Sequence, residues 1–175
     1  MRIAATIVTT CLLLAGGLSV AAERAAEHAG APAVDPAAVP GGKEAAPPYG
    51  MPITLAQAEK VLAAARAEAA HLGSNINVIA VVDTHGELVD FIRMDDATIH
   101  SIAFAQQKAR SAARSRRASA VPPPAMAVAL ASMPDFVAMP GGVPIVVNGR
   151  TIGGIGVSGG NDLTIALAGA TALKP

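Results

Sequence analysis

From residue 51 onward the apolar positions switch between two spacings, and the switches mark the elements. Leu55, Ala58, Val61, Leu62, Ala65, Ala69 and Leu72 recur at helical intervals, with Lys60, Ala64, Ala67 and His71 opposite. Thr54 with Gln57 three residues on is a capping-box pattern, Ile53 is placed as the staple, and Gly73 stands where a left-handed C-terminal residue is needed. Asn77 to Val82 is β-branched and apolar, Asp83-Thr84-His85-Gly86 is a turn, and Glu87 to Met94 alternates, which predicts an antiparallel hairpin. Leu88, Asp90, Ile92 and Met94 share one face and Val89, Phe91 and Arg93 the other, so neither is cleanly polar and both are expected to be covered.

A second helix is predicted over Thr98 to Arg117, with Ile102, Ala105, Ala109, Ala112 and Ala113 as a small-residue stripe able to lie close on a sheet. Ala118 to Pro140, with three consecutive prolines and a short helical pattern over Ala125 to Ser132, is expected to be a crossover outside the core. Gly141 to Val147, Asn148-Gly149 and Arg150 to Val157 then predict a second hairpin. Ser158-Gly159-Gly160-Asn161-Asp162 leads into a last helix, Leu163 to Leu173. Its first N–H groups could hold an anion, although two glycines before a helix more often serve a tight bend. The order helix, hairpin, helix, crossover, hairpin, helix defines an α+β domain, an antiparallel sheet of at least four strands flanked by helices.

The N-terminal third reads differently. Arg2, the apolar run Ile3 to Leu18 and the small residues Ser19 to Ala22 suit a secretory signal peptide over residues 1–22, with cleavage after Ala21 or Ala22. The run is shorter than the roughly 20 residues of a membrane span, so no span is expected after cleavage, and the mature protein is expected to be periplasmic or secreted. Residues 23–50, rich in Ala, Pro and Gly and carrying His28, are expected to be a flexible linker, with the folded domain over 51–175. Cys11, the single cysteine, falls in the signal segment, which removes thiol catalysis, disulfides and cysteine-bound zinc from the mature chain. Thirteen basic residues balance thirteen acidic ones and aromatics make up 2%, so nucleic acid is not an expected partner.

The second helix carries the candidate chemistry. On a wheel of about 100° per residue, His100, Phe104, Gln107, Ser111 and Arg114 line up away from the alanine stripe, flanked by Lys108, Arg110, Arg116 and Arg117. A solvated face has no need of a phenylalanine. The plain reading of the cations is complementation of the helix dipole and solubility; the functional one is anion binding. His71, in a last turn, suits a dipole role, and His85 sits at an exposed turn where Asp83 and Glu87 make a weak metal set. Asp83, Asp95 and Asp162 read as turn or cap residues rather than as a catalytic pair.

Thr54-Leu55, Val81-Val82-Asp83 with Gly86, Arg93-Met94-Asp95, Ser101-Ile102-Ala103 with Lys108-Ala109, Pro140 to Ile145 with Gly149, Ile152-Gly153, Gly156 to Gly160 and Asp162 follow one another as in the GlcG/HbpS family, which the chain resembles from Ile53 to about Leu173. The resemblance implies a profilin-like α/β/α sandwich, assembly into homo-oligomers, and, from some secreted members, binding of haem and its degradation with release of iron. Two departures stand out: only Asn161 separates Gly160 from Asp162, where the family has a longer loop, and Ser111 replaces a threonine. A haem site needs an iron ligand, an apolar contact and cations for the propionates. His100 is the candidate metal ligand, with Phe104 as contact, Gln107 and Ser111 beside it, and Lys108 or Arg114 for propionate; His85, His71 and Ser111 are alternative ligands. The competing reading is a non-catalytic small-molecule-binding or assembly module in which the same face meets another subunit. An enzyme acting on a small organic acid is a third, for which the sequence supplies no catalytic pair.

Overall fold

A computed structural model describes residues 45–121, 126, 129–130, 132 to the end of the last helix, and the two residues after it. The signal-peptide reading, most of the linker and most of the short helix expected at 125–132 lie outside these residues. Three helices and four strands follow in the order α1 (Leu55–His71), β1 (Val78–Asp83), β2 (Leu88–Arg93), α2 (Ile99–Ser115), β3 (Gly142–Val147), β4 (Arg150–Ser158) and α3 (Asp162–Thr171).

The local signals act as their chemistry dictates. Thr54 Oγ1 accepts from Gln57 N–H at 3.3 Å while Gln57 Oε1 accepts from Thr54 N–H at 3.0 Å, a complete capping box. At the other end Gly73 adopts φ +66°, and the Gly73 and Ser74 amides return to Ala70 and Ala69 as a Schellman pair. Asn148 and Gly149 both take positive φ, as a type I′ turn requires. Asp83 accepts the His85 and Glu87 amides at 2.8 and 2.9 Å, so its carboxylate builds the first hairpin turn.

The strands form one antiparallel sheet in the order β2-β1-β4-β3. Pro144 is tolerated because β3 is an edge, paired on one side with β4. One face of the sheet, with Ile79, Val81, Val143, Ile145, Ile155 and Val157, packs on α1 and α3 through Val61, Leu62, Ala65 and Ile165. The other, with Val78, Ala80 and Val82, packs on Ala105, Ala109 and Ala113 of α2. The result is the α/β/α sandwich, and both faces of the sheet are covered as expected.

The second layer is unusually thin. A Cβ on Gly142 would meet the carbonyl of Lys108, one on Gly154 the carbonyl of Ala109 at 2.5 Å, and one on Gly156 the carbonyl of Ala105. Helix backbone rests on strand backbone here, with alanine methyls on one side and hydrogen atoms on the other.

Two boundaries move. Order extends N-terminally past Met51: Tyr49 bridges to Thr151 in parallel, Gly50 N–H donates to Thr151 O at 2.8 Å, and Thr151 N–H donates to Pro48 O at 2.8 Å. Arg116 lies 4.8 Å over the Tyr49 ring and donates to Pro47 O, and the Tyr49 hydroxyl donates to Arg114 O at 2.7 Å. The last linker residues thus belong to the domain. The crossover, expected outside the core, also contributes: Val137 is buried, and Ser119 closes the loop by bonding Met139 O at 2.6 Å and accepting from Gly142 N–H at 2.8 Å.

Candidate functional site

Helix α2 begins at Thr98, whose hydroxyl meets Ser101 Oγ at 2.8 Å instead of capping a backbone amide. His100 is exposed and its ring stands edge-on to Phe104, with centroids 5.6 Å apart and planes at 86°. Phe104 is half-buried, and the half-buried apolar groups packed on the sheet-side core are Phe91, Ala97 and Ile102 instead. Gln107 is half-buried one further turn along. Among the described residues neither the His100 imidazole nor the Gln107 amide has a hydrogen-bond partner, so both are free to meet something else.

The rest of the predicted stripe is engaged within the chain. Ser111 is buried: its hydroxyl donates to Asp135 O at 3.3 Å and accepts from Val137 N–H at 2.9 Å, so the crossover covers it. Arg114 is half-exposed, with Nε donating to His85 O at 2.9 Å and Nη1 3.4 Å from Asp135 Oδ2. Lys108 departs furthest from the sequence reading. It is 1% exposed, and Nζ donates to Val157 O at 3.0 Å and to Asp162 Oδ2 at 2.6 Å. A buried ammonium committed to a carboxylate is not available to a propionate.

The helix therefore splits into two ends. His100, Phe104 and Gln107 form the N-terminal cluster; Ser111 and Arg114 belong to a separate C-terminal one. Fourteen residues at ~1.5 Å each put His100 and Arg114 roughly 21 Å apart along the axis. Arg114 is moreover already engaged with His85 O and Asp135, away from the His100 end. His100 and Phe104 stand together at an accessible place, whereas the two predicted propionate cations, Lys108 and Arg114, are engaged within the chain.

The other two histidines among the described residues bring no alternative centre. His71 is largely exposed and 3.8 Å from Glu68, and His85 is 3.7 Å from Asp83, whose carboxylate is already taken by the turn. Among the described residues no group of three or more His, Cys, Asp or Glu side chains could hold a metal ion. A single histidine on a haem remains compatible with that.

Sequence reasoning missed the joint between α2 and α3. Asp162, read as a cap, has Oδ1 on Gly160 N–H at 2.8 Å as well as Oδ2 on Lys108. The chain's own carboxylate thus occupies the place where an external anion was considered. Asn77, fully buried, donates to Gly160 O at 2.8 Å and meets the Ser74 hydroxyl, fixing the same loop from the α1 side. Gly141, at φ +114°, has Lys108 Nζ 3.2 Å from where its Cβ would be. The signal was present: Lys108, Gly141, Gly160 and Asp162 all lie in the quoted motifs, but nothing along the chain says they converge.

Architecture and site together define an α+β sandwich with an exposed, histidine-bearing end on its second helix. The chain belongs to the HbpS-like family of haem-degrading proteins, which it matches over residues 53–171. It is 36% identical over 104 residues to protein GlcG of Escherichia coli K12, covering 58% of this chain and 77% of GlcG. Among solved structures it superimposes on HbpS with a TM-score of 0.64 and 30% identity, covering 76% of this chain and 96% of that one. The complex of PduOC with haem gives a TM-score of 0.61 and 27% identity, covering 70% and 96%.

Proposed function

We propose that this protein is exported and binds haem at the N-terminal end of α2, with the His100 imidazole as iron ligand and Phe104 against the macrocycle. The observation that carries the reading is the exposed His100 ring, held against Phe104 and bonded to nothing else among the described residues. Membership of the HbpS-like family and the fold shared with a haem complex support it. Haem would supply redox chemistry; His100 would orient it, and the half-buried Phe104 would exclude water from one edge. Degradation with release of iron is the further step of the proposal. It requires an external reductant or peroxide, because the described side chains supply no electrons.

Haemin added to the purified protein tests this. A Soret band that is present in the wild type and in His85→Ala but lost in His100→Ala is the expected result. No band, or one unaltered in His100→Ala, removes the reading. Export is tested by sequencing the N-terminus of protein recovered outside the cytoplasm, with cleavage expected after Ala21 or Ala22.

A second reading rests on Ile99, 83% exposed beside His100. An isoleucine so placed next to a half-buried phenylalanine suits a contact between copies of the chain. A homo-oligomer built there predicts that Ile99→Glu lowers the mass in solution. Unchanged mass in that variant, or a monomeric wild type, places assembly elsewhere or rejects it.

A further inference from the structure

At the C-terminal end of α2, Arg110 and Arg114 lie one turn apart and reach across the first hairpin turn. Arg110 Nε donates to Gly86 O at 3.0 Å and Arg114 Nε to His85 O at 2.9 Å. Gly86, at φ +90°, makes the crossing possible: a Cβ there would stand 2.8 Å from Arg114 Nε and 3.2 Å from Arg110 Cγ. Both guanidinium groups are thereby fixed by their inner nitrogens, and their outer nitrogens point to one place. That place holds the Asp135 carboxylate, with Oδ1 3.7 Å from Arg110 Nη1 and Oδ2 3.4 Å from Arg114 Nη1.

We propose that this arginine pair is a binding site for the carboxylate of a small organic acid, and that Asp135 is its built-in, displaceable occupant. The arginines are pre-positioned, and a guanidinium matches the geometry of a carboxylate. The occupant is loosely held: both contacts are long, Asp135 is 44% exposed, and it sits at φ +60°, which is unfavourable for a side-chain-bearing residue. Displacement need not disrupt the fold, because the neighbouring backbone stays pinned by the Ser111 hydroxyl to Asp135 O and Val137 N–H. A tethered competitor lowers the apparent affinity for a free one by the fraction of time it occupies the site. The site is thus closed to weak ligands and opens to a carboxylate that gains further contacts beside the crossover.

Asp135→Gly removes the occupant while suiting the left-handed backbone. Binding of carbon-13-labelled acetate to the full chain, followed by line broadening, is expected to tighten at least several-fold in Asp135→Gly relative to wild type. It should be lost again in Asp135→Gly with Arg114→Gln, and Asp135→Asn, which keeps an acceptor at the arginines, should fall between wild type and glycine. Inorganic phosphate in place of acetate should gain less, because the place vacated is that of a two-oxygen carboxylate. Circular dichroism confirms that each variant is folded. No tightening in folded Asp135→Gly, or tight binding that survives Arg114→Gln, overturns the proposal, and an equal gain for phosphate overturns the carboxylate assignment. The assay contains no haem, so its outcome is independent of the His100 reading.

Discussion

Lys108 is the residue whose position the sequence was least able to disclose. On the wheel it borders the alanine stripe, and its long stem can lie to either side; the direction is set by Asp162, which is far along the chain at the start of α3. The two partners are not equivalent. The ammonium is 1% exposed, whereas Asp162 is 22% exposed and keeps its bond to Gly160 N–H. Asp162→Asn leaves a buried charge uncompensated and is expected to cost about 3 kcal/mol. Lys108→Met fills similar volume and leaves a carboxylate near water, so about 1 kcal/mol is expected. Urea denaturation measures both, and a larger loss in Lys108→Met would contradict this ranking. His100 was legible for the opposite reason: an exposed side chain on a regular helix keeps the position that periodicity assigns it.

At the scale of elements the sequence was more informative, because caps and turns are local. Thr54 with Gln57, Gly73, Asp83 and Asn148-Gly149 each determine a boundary from within a few residues, and the helices and hairpins lie close to where those signals put them. The crossover was less legible, since the value of Ser111, Ser119 and Val137 lies in contacts with a helix and a strand end that proline content cannot reveal. The glycines of β4 permit a close approach that local pattern does not assign to a partner, and the partner is α2 of the same chain. Gly156 has ordinary backbone angles, so a methyl group there tests contact alone. Gly156→Ala is expected to destabilise by about 3 kcal/mol, because the helix must lift from the sheet. Gly149→Ala, with φ +70° and open space around it, isolates conformational strain and should cost about 1 kcal/mol. Thermal unfolding of the two variants distinguishes these effects, and equal losses would mean that the α2–β4 contact relaxes freely.

For the whole molecule, the N-terminal connection is fastened where α2 ends. Tyr49, Arg116 and the Pro48–Gly50 backbone join the residues before α1 to β4 and to the last carbonyls of α2, closing the chain around the sheet. Tyr49→Ala removes a hydrogen bond and a stacked cation and is expected to lower stability by about 1–2 kcal/mol, read as a reduced urea midpoint with the same slope. No helix among the described residues is long and apolar enough to cross a membrane.

The near absence of side chains between α2 and β4 also bears on motion. A helix cushioned by leucines can slide as its neighbours change rotamer; one whose carbonyls rest on glycine hydrogens has no such compliance, and can leave the sheet only as a unit. The amide protons of Ala105 to Ala113 and of Ile155 to Val157 should therefore exchange with solvent at one common, slow rate, set by global opening. His100 at one end of that helix and Arg114 at the other would then be carried on a single stiff lever, and a ligand that tilts one end must be felt at the other.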